Sequence, residues 1–372
     1  MRIALYTSDR TTIPPEKNVI AASSYLTGLL ANRLIKKGHA VSLYTPKGSQ
    51  SKAKIIDLGL PANSVSDTED WALKKNLGMK QLYICELYKN SYNYDIIHLQ
   101  TAPIYLGMPF ATLSTTPTIF TCHNDFHAEE KEIFTYYQKL PIVTISNAQR
   151  RTLPNLNYIA TVYNGIEVEK YPFNEYVDSH SYLYFLGRVV LNKGIDQTIQ
   201  VAQKLKRKLI ISGSAQEDFF ERHIKSCLSS TIQFAGLIER ESKPWFKKLA
   251  LARLFLFPIQ WEEPFGLVMI ESMATGTPVV AYARGSVPEV VKDGKTGFIV
   301  NPSDDDIRGD WIIKKTGIDG LCEAVEKIYS MPENEYKQMR RNCRAHVEKN
   351  FTIERMVDEY EKVYNQVVSN SK

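Results

Sequence analysis

Short runs of β-branched and aromatic residues alternate along the chain with longer stretches whose apolar positions recur every three to four residues. RIALY, AVSLY, DIIHL, PTIFT and PIVTI in the first half have the length and composition of strands. Between the first two, Ala21 to Lys37 carries an apolar stripe of Leu26, Leu29, Leu30, Leu34 and Ile35 and ends at Gly38, which predicts a helix with a glycine stop. The scheme repeats in SYLYFLG, KLIISG, TIQFAG, RLFLFP and TPVVAY, again separated by helical patterns. Strand–helix alternation of this kind predicts parallel sheets covered by helices. Two successive runs predict an α/β protein of two Rossmann-like, doubly wound domains.

Polar and turn residues break the pattern in KYPFNEYVDSH, so the boundary is expected there, with a first domain over residues 1–172 and a second over 173–352. The last stretch, Ile353 to Val368, places Met356, Val357, Tyr360, Val363 and Tyr364 on one helical face and is read as an amphipathic helix that lies on another surface. Residues 353–372 therefore form a third segment.

Composition narrows the class. A chain of 372 residues exceeds what one core usually holds. A hydrophobic content of 44% and a charged content of 23% are those of a globular protein. The net charge of +5 allows anionic ligands but does not call for nucleic acid. Cys85, Cys122, Cys227, Cys322 and Cys343 are odd in number and lack zinc-site spacing, which fits reduced thiols. MRIALYTSD reads as a strand rather than a secretory leader, and no apolar run approaches the roughly 18–20 residues needed to span a bilayer. A cytoplasmic location is expected. WALKKNLGMKQLYICELYK could be amphipathic and, with the basic bias of the early chain, touch a membrane surface, but a covering helix before DIIHL is the better reading.

The densest chemistry lies in WEEPFGLVMIESMATGTPVV, Trp261 to Val280. RLFLFP is a buried strand, Ile259 to Pro264 a loop, and Phe265 to Ala274 a helix. A helix N-terminus at the carboxyl end of a parallel strand presents unpaired N–H groups and positive potential, a natural phosphate site. Gly266 allows close approach to the backbone. Glu263 and Glu271 are separated by up to about 12 Å along a helix axis, too far to share one proton. One can reach a sugar while the other accepts hydrogen bonds from two ribose hydroxyls. The competing reading places Glu271 on an ordinary solvent-facing helix. SDDDIRGDW is read as an acidic loop, and Asp304 to Asp306 are not expected to hold a metal.

This block resembles the Glu-x7-Glu signature of the retaining glycosyltransferases of family 4. FLGRVVLNKGID (Phe185–Asp196), GTPVVAYARGSVPEVVKDGKTGFIV (Gly276–Val300), VYNGIEVEKY (Val162–Tyr171) and LIKKGHAV (Leu34–Val41) resemble further segments of that family, so the likeness covers nearly the whole chain. It implies the GT-B architecture, two Rossmann-like domains facing across a cleft, with residues 353–372 crossing back to the first. It also implies a metal-independent transfer of a hexosyl group from a nucleoside-diphosphate sugar to an acceptor hydroxyl, without cofactor. Arg188 and Lys193 would face the diphosphate. Phe265, Gly266, Leu267 and Val268 would supply helix N-terminal contacts, and Glu271 would hold the ribose. Glu263 would contact the transferred sugar, and Gly236, Leu237 and Ile238 would lie beside the base. In FTCHNDFH, His123 resembles a family histidine near the reacting centre, and Asn124 is a further sugar-contact candidate. Ser146 and Asn147 in TISNAQR match a post-strand serine segment or a helix cap. Where the family often has Gly-Gly in its first loop, KNVIAASSY has Ala21-Ala22, which keeps the N–H groups but adds methyls.

Within the family, TVYNGI, GSVPEVV and the Glu-x7-Glu block look most like a bacterial subset that includes UDP-glucose:tetrahydrobiopterin glucosyltransferases. UDP-glucose is therefore the expected co-substrate. The acceptor, whether small molecule, glycan or lipid-linked, is not legible, and with a lipid-linked one the resemblance allows peripheral contact at the inner membrane face. A sugar-nucleotide epimerase of the same architecture and a non-catalytic nucleotide-sugar binder are the alternative functions.

Overall fold

A computed structural model describes residues 1–17, 19, 21–63, 70–100 and 102–371. The chain divides into two compact units, Met1–Gly165 with Ile353–Lys372, and Ile166–Thr352. The division falls a few residues before the 172/173 boundary expected from the pattern. Tyr171 explains the difference, because its ring packs edge-on against Trp245 and Phe246 of the second unit, at 5.8 and 5.3 Å between centroids.

The first unit holds a seven-stranded parallel sheet. Its strands are β1 (Arg2–Tyr6), β2 (Ala40–Tyr44), β3 (Lys54–Ile56), β4 (Ile96–Leu99), β5 (Thr118–Cys122), β6 (Ile142–Thr144) and β7 (Tyr158–Thr161), in the order β3-β2-β1-β4-β5-β6-β7. Ile3 pairs with Val41 on one side and Ile96 on the other, so β1 is central and its residues Ile3 to Tyr6 are fully buried. Helix Ala22–Lys36 follows β1, and its Gly38 stop has φ 87°. Of the stretch KNVIAASSY, Asn18 and Ile20 lie outside the described residues. Ala21, with φ −137° and ψ 78°, immediately precedes the helix, which begins at Ala22.

Helix Ile353–Asn370 belongs to this unit. Its predicted apolar face, Met356, Val357, Tyr360, Val363 and Tyr364, is buried throughout. Tyr364 Oη lies 2.8 Å from His98 Nδ1, and Thr121 Oγ1 lies 2.7 Å from His98 Nε2. Complete burial pushes the His98 imidazole well below its usual pKa, so it stays neutral between two hydroxyls. Arg355 donates to the Tyr163 carbonyl at 2.6 Å.

The second unit holds a six-stranded parallel sheet of β8 (Leu183–Leu186), β9 (Leu209–Ser212), β10 (Ile232–Phe234), β11 (Leu254–Phe257), β12 (Val279–Tyr282) and β13 (Gly297–Val300), ordered β10-β9-β8-β11-β12-β13. Its core joins Leu183, Phe185, Leu209, Ile211, Leu254 and Leu256 to the helix residues Ile199, Leu321 and Val325. Arg340, fully buried, donates to the carbonyls of Asn174, Ala250 and Thr275. These bonds satisfy a guanidinium that would otherwise be costly to bury.

Both sheets follow one scheme. The chain runs outward from a central strand, returns, and continues on the other side, leaving a topological switch point between β1 and β4 and another between β8 and β11. Ligands of open α/β sheets bind outside the carboxyl ends of strands at such points. Three strands escaped the sequence pattern: β3, β7 and β13, each at a sheet edge and only three or four residues long.

Candidate active site

In the second unit, the loop from Trp261 to Gly266 leaves β11 and enters helix Leu267–Ala274. The helix begins two residues later than the sequence suggested. Gly266 has φ 73° and ψ 68°, a left-handed conformation that cannot continue a helix but turns the chain sharply into one. A Cβ at this position would lie 2.7 Å from Met269 Cε and 3.3 Å from Glu263 Cγ. Phe265 is buried against Phe351, so its backbone rather than its ring is available to a ligand, while Leu267 and Val268 are partly exposed.

A second loop clamps the first. The Ser286 amide donates to the Glu263 carbonyl at 2.9 Å, the Ser286 hydroxyl to the Phe265 carbonyl at 2.8 Å, and the Gly285 amide to Glu262 Oε2 at 2.7 Å. Gly285 has φ 53°, and a Cβ there would approach the Glu263 carbonyl oxygen to 2.3 Å. Glu262 also accepts from Arg308 at 2.6 Å, and Asp306 pairs with Arg308 at 2.7 Å and Arg284 at 3.1 Å. The hydrogen bond from Arg308, aided by both positive charges, holds the Asp306 carboxyl below its ordinary range. The acidic run thus braces the loop through arginines. Asp304 accepts from the Thr316 hydroxyl at 2.7 Å.

Held this way, Glu263 points one oxygen at two donors. Its Oε2 accepts from Lys193 Nζ at 2.5 Å and from Trp261 Nε1 at 3.0 Å, and Lys193 Nζ sits 4.8 Å from the centroid of the Trp261 ring. Lys193 arrives on the short turn after β8, and the Gln260 amide ties the two loops by donating to the Asn192 carbonyl at 2.9 Å. Glu263 is 9% exposed, so these charge-assisted bonds are shielded from water. Arg188 follows β8 directly and is exposed, with no ion pair among the described residues. Gly236, Leu237 and Ile238 follow β10, and the Gly236 carbonyl accepts from the Gly213 amide at 2.9 Å.

Glu271 is not on a solvent-facing helix surface. It is 3% exposed and ion-paired with Arg240. Burial pushes its carboxyl above the ordinary range, with the Arg240 charge opposing that shift. The carboxylate is thereby preoriented at the edge where Gly236 to Ile238 lie, two residues before Arg240 in the chain. Sequence reasoning missed Arg240 and Trp261. Both stand next to residues already singled out, and a buried carboxylate's need for a cation was the available signal.

In the first unit, His123 Nε2 lies 2.8 Å from Gln100 Oε1. Burial pushes the His123 imidazole down to about 4, so it is neutral at physiological pH and able to accept or donate one proton. Asn124 is exposed, and its carbonyl accepts from Gln149 Nε2 at 2.7 Å. Asn147 makes no side-chain cap. It bonds instead to Tyr163 Oη at 3.1 Å and Thr161 Oγ1 at 2.8 Å, while Ser146 is buried. His123 and Asn124 line a cavity of about 380 Å³ at the carboxyl ends of β1, β4 and β5.

Known proteins carry the same organisation. The model for Glycosyltransferase Family 4 matches residues 25–170, and that for Glycosyl transferases group 1 matches residues 169–346. An uncharacterized 41.2 kDa protein in the cps region of Klebsiella pneumoniae is 27% identical over 220 residues, which cover 56% of this chain and 55% of that protein. Sucrose-phosphate synthase from Thermosynechococcus elongatus superposes with a TM-score of 0.76 at 17% identity, over 99% of both chains. Anabaena Alr3699/HepE, solved in complex with UDP and glucose, superposes with a TM-score of 0.70 at 14% identity, over 98% of this chain and 100% of that one. Two parallel-sheet Rossmann-like units and these neighbours define the GT-B class. The two matches together span residues 25–346, and the chain belongs to the glycosyltransferases of family 4, with the group 1 domain as its second unit. Among the described residues, no helix is long and apolar enough to cross a membrane.

Proposed function

We propose that the protein is a retaining glycosyltransferase that moves a glucosyl group from UDP-glucose to an acceptor hydroxyl without a metal ion. The observation that carries this reading is the clustering at one sheet edge of Lys193, Trp261 and Glu263 with the buried Glu271–Arg240 pair and the Gly266 helix start. The solved relative bound to UDP and glucose supports the choice of donor.

In this reading the diphosphate lies against the N-terminus of helix Leu267–Ala274, where Gly266 to Val268 offer backbone N–H groups. Glu271 accepts hydrogen bonds from the ribose hydroxyls, and Gly236, Leu237 and Ile238 flank the base. Glu263 orients the transferred sugar. As the bond from the anomeric carbon to the phosphate oxygen breaks, negative charge gathers on UDP, and Arg188 and Lys193 stabilise it. The acceptor oxygen bonds to the same face of the anomeric carbon, and its proton passes to the departing phosphate. By the family resemblance, His123 and Asn124 are the first unit's candidates for contact with the sugar. Glu263 is assigned positioning and electrostatic support rather than covalent attack, because its Lys193 and Trp261 bonds keep it engaged as an acceptor.

Incubating the protein with UDP-, GDP- and ADP-glucose and a panel of hydroxyl acceptors tests the proposal. Release of UDP together with an α-linked product, read from the anomeric proton coupling, is expected. A β-linked product would exclude retention. Epimerised sugar nucleotide formed without acceptor would replace transfer by epimerisation.

A further inference from the structure

The cavity of the first unit has a lining of two chemical kinds. Thr7, Ser8 and Arg10 enter it from the end of β1, and Lys80 from helix Asp70–Lys89. Asp125 and Glu130 enter from the loop after β5, beside His123. The position is the switch point between β1 and β4, and the volume of about 380 Å³ is that of a small-molecule site.

Lys80 is the anomaly. It is 7% exposed, yet its ammonium makes no hydrogen bond among the described residues. Its ion-pair partner is Asp9, fully buried, at 3.9 Å. That separation is too long for a hydrogen bond. Among the described residues Asp9 Oδ1 has no hydrogen-bond partner, and its other oxygen accepts from Asn63 Nδ2 at 3.4 Å. A buried ion pair that serves stability alone closes to hydrogen-bonding distance and satisfies its remaining donors, because both ions have lost their water. Lys80 instead has no hydrogen bond from its three N–H donors among the described residues, and it lines a cavity that Arg10, Thr7 and Ser8 also line.

We propose that this cavity binds an acceptor that is a sugar or polyol carrying an anionic group, phosphate or carboxylate. Lys80, with Arg10, holds the anionic group, while Asp125 and Glu130, from the segment after β5, accept hydrogen bonds from the hydroxyls. The two acidic side chains disfavour an anion at their end and so orient the molecule. A ligand with negative charge throughout meets repulsion there, and a neutral sugar leaves Lys80 unmatched. Calling the occupant an acceptor rests on the glycosyltransferase reading above, whereas the anion site itself rests on Lys80.

The test uses the full chain and calorimetric titration with glucose 6-phosphate, glucuronate and glucose, in parallel with UDP. Glucose 6-phosphate or glucuronate is expected to bind at least about tenfold more tightly than glucose, and the Lys80→Met variant to lose at least about tenfold of that affinity, the size of one charge-assisted contact. Which of the two anionic probes prevails distinguishes phosphate from carboxylate. The double variant Asp9→Asn/Lys80→Met removes both charges and avoids a stranded carboxylate if the single variant folds poorly. Glucose binding as tightly as both anionic sugars, unchanged anion affinity in a folded variant, or no binding by any of the three probes up to about 10 mM would overturn the proposal. UDP binding separates the two claims. Its absence contradicts the donor assignment, while the response of the anionic probes to Lys80 still decides the anion site.

Discussion

The two sheets place their candidate sites at equivalent points, β8/β11 and β1/β4, yet build them by different means. The second unit works through backbone shape. Gly266 and Gly285 bring two loops into van der Waals contact around Glu263, and each exposed or buried carboxylate of the site has a cation or indole in place. The first unit works through side chains. His123 leans on Gln100, Lys80 faces a distant Asp9, and the cavity is bounded by Ser23 and by segments that begin at Thr7, Leu73, Ala102 and Cys122. A site made of glycines and paired charges within one loop tolerates little variation. A site made of side chains from several loops can change its ligand without changing the fold.

The largest effect that would break this comparison belongs to Gly285→Ala. The new methyl meets the Glu263 backbone and φ is positive, so the variant is expected to lose about 3 kcal/mol of second-unit stability and nearly all transfer activity. Denaturant unfolding measures it, and an alanine tolerated there would show that backbone shape does not govern the site. Glu263→Gln keeps the size and the Trp261 hydrogen bond but removes the charge. It is expected to lower kcat about a hundredfold while leaving UDP affinity within a few-fold, which separates transition-state support from ground-state binding.

In the first unit the sharper probe is pH. His123 titrates at about 4 when folded against 6.5 ordinarily, so the unfolded chain binds the extra proton first as pH falls. Stability from neutral His123 is complete above about 6.5 and is lost between there and about 4. Relative to wild type, His123→Gln should gain about 3 kcal/mol across that window, measured by urea unfolding at several pH values. Equal slopes would mean the imidazole is not desolvated. The smallest effect lies away from both sites. Lys37 joins Asp358 at 2.7 Å and Glu361 at 2.6 Å, but all three side chains are solvated, so Lys37→Met should cost only about 0.5 kcal/mol.

The same contrast explains what could be read from the sequence. Glu263, Gly266 and Glu271 fall within nine residues, and a strand, a glycine turn and a helix start in succession carry their own geometric meaning. Arg188 and Lys193 follow the next strand in the same manner. Lys80 had no such signal, because its significance depends on burial beside Asp9, some seventy residues earlier, and helix periodicity alone made it one lysine among several on a covering helix. The strands missed, β3, β7 and β13, fail for a related reason. An edge strand of three or four residues has one partner, and its definition comes largely from the neighbouring strand; the equally short edge strand β10 was legible because TIQFAG ends in a glycine turn. The final helix was legible because all five apolar positions of its stripe are buried, whereas His98, which meets two of its tyrosines, was not.

The most direct test of the central claim, that the second unit is a nucleotide-sugar site organised by its two glutamates, is calorimetric titration of UDP into the wild-type chain and into Glu271→Gln. UDP is expected to bind the wild type, and the variant to bind about tenfold more weakly, through loss of the charged acceptor proposed for the ribose hydroxyls. Undetectable UDP binding to the wild type, or equal affinity in a folded Glu271→Gln, would contradict the claim.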